Sequence, residues 1–260
     1  MSDIRIFSYL PNPRIWKSVI ASRLNGVELD IRGDTPANLA NWLWDFEARP
    51  LEQVSEPERQ ASERTARTGF SGKLYKTDAF LAANPAGTVP CAFSPDGKVG
   101  IFESNSMLRA VARLGESQYP LYGADPYQAS RIDSFLDISL VFARDSQIYL
   151  LAIGAKQVTP GLHAAAAKAF SGWMSALEQA MSAGQYLVGE DITLADICVV
   201  CEFAMFTRER KFKGLLGEQG LGLITEMNLY PNVQALIDRL CRHPAFAPEL
   251  ADAIPEYPAS

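Results

Sequence analysis

The chain has little cysteine, little histidine and no long apolar run, and each shortage excludes a class of protein. Four cysteines in 260 residues are too few for a disulfide-stapled scaffold, which favours a reducing, cytoplasmic location. The two histidines, His163 and His243, have no metal-ligand spacing, so neither a metal site nor a Ser-His-Asp triad is expected. No apolar run approaches the roughly 18 residues that cross a bilayer, so no membrane partner is expected.

Positive charge is also scarce. The formal net charge is −6, and no basic block or Arg-rich helical face stands out, so nucleic acid is not an expected partner. The rest of the composition is ordinary for a globular protein, with 48% hydrophobic and 21% charged residues.

Apolar periodicity divides the chain into an α/β part and an all-helical part. Strand-like runs at 4–8 and 27–31 flank a helical run at 14–24 that stops at Asn25-Gly26, so a β-α-β unit is expected. After a linker, the remaining patterns are helical and cover 127–152, 163–182, 194–210 and 233–241. We therefore predict an α/β domain at 1–117 with a long insert at about 33–72, followed by an all-helical domain at 123–255.

The insert is the hardest part of the chain to interpret. Four apolar residues between 38 and 48 fall at helical spacing, so a helix is predicted there. The charged stretch 50–67 has little apolar periodicity and favours a solvated helix or a mobile loop. One helical turn is predicted at 78–83.

The segment 84–104, NPAGTVPCAFSPDGKVGIFES, carries the most chemistry. Apolar runs at 91–93 and 99–102 flank the turn Asp96-Gly97 and predict an antiparallel hairpin. A helix is predicted from Ser104 to about residue 114.

Two features of this segment suit a small acidic peptide. A cis bond between Val89 and Pro90 would turn the Val89 N–H and C=O outward, where they could pair with a peptide backbone. Glu103-Ser104 at a helix start offers free N–H groups and a hydroxyl to a carboxylate. Each feature also has a structural alternative: a proline that begins a strand and an ordinary N-cap.

A third motif is structural. Thr193 and Asp196 form an S/T-x-x-D/E capping box ahead of an apolar run. Cys198 and Cys201 lie inside the helix that this box begins, whereas redox C-x-x-C pairs lie at exposed helix starts. We therefore interpret the two cysteines as core residues.

Taken together, these motifs resemble the glutathione transferase superfamily over nearly the whole chain. The resemblance rests on N-P-x-G-x-V-P at 84–90, D-G-x(5)-E-S-N at 96–105 and Y-L-V-G-E-x-x-T-L-A-D at 186–196. Within the superfamily, residues 7–17 and 193–201 are most similar to the transferase-like amino-terminal region of the gamma subunit of eukaryotic translation elongation factor one. Theta-type transferases are the next most similar.

The resemblance implies a thioredoxin-like domain, a C-terminal all-helical domain, glutathione as ligand and a homodimer. The backbone at Val89–Pro90 would pair with the cysteinyl unit of glutathione, and Glu103 and Ser104 would hold the γ-glutamyl end. The glycine carboxylate would be contacted by a further set of residues: Tyr75 or Lys76, with Thr88 assisting.

The resemblance leaves open which residue activates the thiol. Such transferases use a Tyr near the end of the first strand, or a Ser or Cys at the start of the first helix. Here Tyr9 is one candidate donor, Asn12 lies nearer the usual serine position, and Arg14 would add positive charge at the helix start. The helical domain, through residues 135–149, would supply an apolar pocket for the electrophile.

The expected function is that of a glutathione-dependent enzyme of the transferase or lyase type, which activates the thiol for attack on a small apolar electrophile. Conjugation, thiol-dependent ether cleavage, dehalogenation and peroxide reduction all stay open. The alternative is a non-catalytic binding or assembly module, as in the elongation-factor gamma subunit. A thioredoxin-type oxidoreductase is not favoured, because it needs a reactive cysteine near Asn12 and the sequence has none there.

Overall fold

A computed structural model describes residues 2–66, 70, 72–225, 227–251 and 253–254. The chain divides into two compact units, Met1–Glu116 and Ser117–Ser260. Two positions named in the sequence predictions, Arg67 and Pro255, lie outside the described residues. Among the described helices, none is both long and apolar enough to span a membrane.

The first unit contains two four-stranded sheets. Its strands are β1 (Ile4–Tyr9), β2 (Leu29–Asp34), β3 (Trp42–Trp44), β4 (Arg49–Pro50), β5 (Glu63–Thr65), β6 (Lys73–Lys76), β7 (Cys91–Phe93) and β8 (Gly100–Phe102). Its helices are α1 (Pro13–Asn25), α2 (Glu56–Ser62), α3 (Asp78–Ala83) and α4 (Ser104–Leu114), with 3₁₀ turns at Leu39–Asn41 and Leu51–Gln53.

The central sheet has the order β2-β1-β7-β8. Strand β1 runs parallel to β2 and antiparallel to β7, and β7 runs antiparallel to β8. This arrangement confirms the predicted β-α-β unit, hairpin and thioredoxin-like class. Strand β2 lies slightly later than the predicted 27–31, because its pairing with β1 extends as far as Tyr9 opposite Asp34.

Close approach of β2 to β1 requires glycine at one position. Gly33 has a φ of +143°, and a Cβ there would lie 1.7 Å from the Ser8 carbonyl oxygen. No side chain fits that space, so the end of β2 closes directly onto the end of β1.

The insert folds differently from the prediction. The predicted helix over 38–48 is wrong: a short 3₁₀ turn leads into β3, which pairs in parallel with β6. The second sheet has the order β4-β3-β6-β5. The residues Trp42–Trp44 favour an extended chain because two of the three are aromatic, and Trp44 packs edge-on against Phe7 of the central sheet. Helical spacing over so short an apolar run cannot exclude a strand.

The solvated helix, one of the two predicted alternatives, is found in part of the charged stretch 50–67, together with strands that were not predicted. Helix α2 is mostly exposed, as expected of a solvated helix. In the sequence it lies between β4 and β5, which are the two edge strands of the second sheet.

The second unit is helical throughout its described elements. These are α5 (Pro126–Gly154), α6 (Pro160–Ala180), α7 (Leu194–Phe206), α8 (Lys213–Glu218), α9 (Pro231–Arg242) and α10 (Ala247–Leu250), with 3₁₀ turns at Met181–Ala183 and Thr207–Phe212. The predicted helices are confirmed, except that the 194–210 pattern leaves α-helical geometry after Phe206. Phe142 of α5 stacks on Trp173 of α6 with ring centroids 4.2 Å apart.

Helix α7 is buried along its whole length. The predicted capping box is confirmed: the Asp196 carboxylate accepts from the Thr193 N–H at 2.8 Å and from the Thr193 hydroxyl at 2.9 Å. Cys198 and Cys201 are fully buried, as the core interpretation requires.

Candidate functional site

Three segments that the sequence singled out lie side by side at the same end of neighbouring strands in the central sheet. Phe7 of β1 is opposite Cys91 of β7, and Cys91 is opposite Phe102 of β8. Beyond these three paired residues, β1 runs into the β1–α1 connection and β8 runs into the start of α4. At the same end of the sheet, β7 is preceded by the Val89–Pro90 bond. Since neighbouring strands are about 4.8 Å apart, one peptide-sized ligand can reach all three segments.

The Val89–Pro90 bond is cis, as the sequence suggested. The loop before it is fixed from inside: the Asn84 side chain donates from Nδ2 to the Thr88 carbonyl at 2.8 Å, and the Gly87 N–H donates to the Asn84 carbonyl at 2.8 Å. Among the described residues, none is hydrogen-bonded to the backbone N–H or C=O of Val89. The loop is thus held in place while the Val89 backbone donor and acceptor have no partner among the described residues.

The start of α4 has features that suit an anion. Ser104 and Asn105 are its first two residues, whose N–H groups have no acceptor within the helix. The first turn contains no acidic side chain. Glu103, just before the helix, is exposed and has a φ of +67°, a conformation that costs a non-glycine residue about 1–3 kcal/mol.

A buried lysine that no sequence motif singled out lies beneath this helix start. Lys17 of α1 is 0% exposed. Its Nζ donates to the Ser104 Oγ at 3.2 Å and to the Asn105 Oδ1 at 2.7 Å. The signal was present: Lys17 falls four residues after Pro13 and three before Ile20, on the apolar face of α1, where a charge needs a partner.

The three candidates for thiol activation lie on or beside the β1–α1 connection. Tyr9 ends β1 and is half-buried, and Arg14 is a half-buried residue in the first turn of α1. Asn12 is fully buried and caps α1: its Oδ1 accepts from the Arg14 N–H at 3.0 Å, and its Nδ2 donates to the Ser8 Oγ at 3.0 Å. Direct contact of any of the three with a thiol stays a prediction.

The candidates for the glycine end meet at the loop before Val89. Lys76, the last residue of β6, donates from Nζ to the Gly87 carbonyl at 2.5 Å, and its ammonium lies 4.6 Å from the centre of the Trp44 ring. Thr88 is exposed and Tyr75 is half-buried. The second sheet, whose strands were not predicted, therefore places a cation against the loop before Val89.

Cys91 adjoins the cis proline but is unsuited to redox chemistry. It is fully buried, and burial raises the pKa of its thiol to about 12. The thiol therefore stays protonated and unreactive at neutral pH. Within the described ranges, no cluster of three or more His, Cys, Asp or Glu side chains could hold a metal ion.

Helix α5, expected to face the electrophile, has two kinds of apolar residue. Its aromatic residues Phe135, Phe142 and Tyr149 are buried in the helical unit. Several aliphatic side chains of the same span are exposed in this chain: Ile138, Leu140, Val141 and Ile148. An apolar surface exists within 135–149, and it is aliphatic.

The architecture is that of the glutathione transferase superfamily. Residues 161–244 match the family model described as the C-terminal domain of glutathione S-transferase. A glutathione transferase homologue from Lodderomyces elongisporus, solved with two GSH per subunit, aligns with a TM-score of 0.64 at 16% identity, over 95% of this chain and 97% of that chain. At such identity the likeness establishes the fold.

Elongation factor 1-gamma recurs among the individual relatives. Elongation factor 1-gamma 1 of Oryza sativa subsp. japonica is 35% identical over 136 residues, which are 52% of this chain and 32% of that protein. The glutathione S-transferase-like protein FUS3 of Gibberella moniliformis is 26% identical over 199 residues, 74% of this chain and 72% of that protein. The chain spans less than half the length of these elongation-factor relatives. The resemblance predicted from the motifs, to the superfamily and to the elongation-factor subunit, is confirmed.

Proposed function

We propose that the chain binds glutathione along the edge formed by the β1–α1 connection, the Val89–Pro90 bond and the start of α4, and activates its thiol for attack on a small apolar electrophile. The observation that carries the proposal is the register that aligns these three segments beside an unpaired Val89 backbone. An extended peptide can pair its own backbone with the N–H and C=O of Val89, just before β7, as one strand pairs with another.

Each end of glutathione has a matching group. The γ-glutamyl carboxylate is assigned to the Ser104 hydroxyl and the N–H groups at the start of α4, where the helix dipole favours an anion. The γ-glutamyl ammonium is assigned to the exposed Glu103 carboxylate. Lys76, with Tyr75 and Thr88, is assigned to the glycine carboxylate.

Activation of the thiol is assigned to the β1–α1 connection. A free thiol has a pKa near 8.5, so only about a few per cent is thiolate at neutral pH. A hydrogen bond from Tyr9, the positive end of α1 and the Arg14 guanidinium would each favour the thiolate. Asn12 would support this arrangement by holding Ser8 and the first turn of α1.

The ligand must be in its reduced form to react. The four cysteines of the chain are free thiols, which fits a reducing compartment. We therefore assign the protein to the cytoplasm.

The electrophile and a second copy of the chain are assigned to the helical unit. Phe135 and its buried aromatic neighbours support the apolar environment, and the exposed aliphatic side chains of α5 can bury against another apolar surface. Ile138, Val141 and Ile148 fall close together at helical spacing, which suits a homodimer contact. Sedimentation at micromolar concentration would report the dimer as about twice the 28.5 kDa chain mass.

A second candidate function is that of a non-catalytic binding or assembly module. The recurrence of elongation factor 1-gamma among the relatives favours it. In that case the same edge binds glutathione, or a peptide of similar shape, without turnover.

Calorimetric titration with reduced glutathione tests the proposal. The parent should bind, and Ser104→Ala should bind about tenfold more weakly, since a charge-assisted hydrogen bond is worth about 1.5–3 kcal/mol. Ser106→Ala, two residues along the same helix, is the matched control and should leave the affinity unchanged. No binding by the parent would overturn the proposed site.

Thiol consumption with a panel of apolar electrophiles then separates the two functions. An activated chloroarene, an enone, an aryl ether and an organic peroxide cover the reaction types that stay open. Turnover with any of them supports the enzyme. Tight glutathione binding without turnover on the panel favours the assembly module.

A further inference from the structure

We infer that Lys17 is the positioning residue of the γ-glutamyl subsite: its ammonium orients the Ser104 hydroxyl towards the ligand carboxylate and adds positive charge beneath it. This inference rests on the proposed function, because the subsite is the one assigned there to the γ-glutamyl end. It is carried by the two contacts of a fully buried ammonium with the first two side chains of α4.

The donor and acceptor roles at this cluster are determined by chemistry. A lysine ammonium only donates hydrogen bonds, so the Ser104 Oγ and the Asn105 side chain must both accept from it. The Asn105 amide therefore presents its oxygen to Lys17, in agreement with the 2.7 Å contact to Oδ1. The Ser104 hydroxyl receives the Lys17 proton on a lone pair and keeps its own O–H proton for another acceptor. A carboxylate next to Ser104 is such an acceptor.

Burial strengthens this effect. Ser104 and Asn105 are 7% and 3% exposed, so little water screens the ammonium from a ligand held by the Ser104 hydroxyl. The first turn of α4 supplies no carboxylate of its own. The Lys17 charge and the helix dipole act in the same direction at this end, and both favour an anion.

The inference predicts selectivity for the carboxylate rather than for the peptide as a whole. The probe pair is glutathione and its analogue without the γ-glutamyl α-carboxylate, γ-aminobutyryl-cysteinyl-glycine. The parent should bind glutathione more tightly than the analogue. Lys17→Met keeps the length of the side chain and removes its charge, and should weaken glutathione binding about tenfold with unchanged affinity for the analogue. Lys17→Arg, which keeps the charge, should recover at least part of the selectivity.

Asn105→Asp provides a second test in a variant that keeps the shape of the cluster. Its carboxylate would pair with Lys17 and neutralise the ammonium where the ligand needs it. Glutathione affinity should fall about tenfold, again without a change for the analogue. This variant decides the question if Lys17→Met does not fold.

The outcomes separate the inference from the function on which it rests. A parent that does not bind glutathione overturns both. A parent that binds, with Lys17→Met and Asn105→Asp retaining its selectivity for the carboxylate, overturns the role of Lys17 and leaves the proposed function standing. An equal loss of affinity for both probes would assign Lys17 a purely structural role and would also overturn the inference.

Discussion

Helices α4 and α7 both begin beside buried polar residues, but the buried charged side chain at the two starts has opposite sign. At the start of α7, the buried Asp196 carboxylate accepts from the Thr193 N–H, the Thr193 hydroxyl and the Leu187 N–H. At the start of α4, no acidic side chain lies in the first turn, and a buried lysine contacts the first two side chains instead.

The difference separates a helix start whose charge is met within the fold from the one at which we propose that the ligand binds. A helix start that contains its own anion has its electrostatic demand met within the fold. A helix start with a hydroxyl, a buried cation and no acidic side chain in its first turn favours a negative charge, which we propose that a ligand supplies. The two motifs look alike in sequence, since each places a hydroxyl residue at or next to the helix start.

The largest effect is expected where the internal anion is removed. Asp196→Ala leaves three buried donors without their acceptor and should lower the free energy of unfolding by about 3 kcal/mol. Denaturant unfolding measures this loss. Asp191→Ala, an exposed carboxylate of the same loop, is the control and should change stability by less than about 0.5 kcal/mol. A loss below about 1 kcal/mol for Asp196→Ala would show that the box is not needed.

The next largest effect is the pH dependence of the stability that Asp196 contributes to the capping box of α7. Burial raises the pKa of Asp196 to about 6 from 3.8, although hydrogen bonds from Leu187 and Thr193 oppose the change. The folded protein then binds the proton more tightly than the unfolded chain, so this stabilising contribution is complete below about pH 4 and is lost as the pH rises through about 6.

Comparison of the parent with Asp196→Asn isolates that contribution, because asparagine does not titrate. The stability advantage of the parent should shrink by about 2 kcal/mol between about pH 4.5 and pH 7. Unfolding free energies at both pH values measure it. An advantage that grows with pH would mean that the hydrogen bonds outweigh burial at this carboxylate.

The smallest effect is expected at Glu103, just before the start of α4, where we propose that the ligand binds. Glu103→Gly relieves a positive φ, so the unfolding free energy should rise by about 1 kcal/mol, while glutathione binding weakens because the carboxylate is lost. Lys156→Gly, at another exposed residue with a positive φ of 56°, should gain similar stability with unchanged affinity. Equal glutathione affinity in Glu103→Gly and the parent would remove Glu103 from the site.

Local patterns predicted much of this fold. The hairpin from 91 to 102, the start of α4 at Ser104 and the capping box of α7 all depend on residues close in the chain, so turn and capping signals were sufficient. The second sheet was missed because its central pairing joins Leu43 to Tyr75, and partners so far apart leave no periodic signal in either segment.

In the candidate site, too, residues in local motifs could be predicted and a residue distant in sequence could not. Val89, Glu103 and Ser104 stand in motifs that could be read in one short stretch. Lys17 contacts Ser104 across 87 positions of sequence, so the role we infer for it could be recognised only once α1 and α4 were in place. Its position on the apolar face of α1 was the one early sign that it needed a buried partner.

The contact between Lys76 and Trp44 has an optical consequence. The Trp44 indole is 1% exposed and lies under the Lys76 ammonium, which also holds the carbonyl of Gly87 just before Thr88 and Val89. Indole emission responds to nearby charge, so a ligand carboxylate that draws this ammonium away would alter the spectrum of Trp44. If this loop binds glutathione as proposed, Trp44 is an intrinsic fluorophore beneath it, and a change in its emission would report occupancy without any added label.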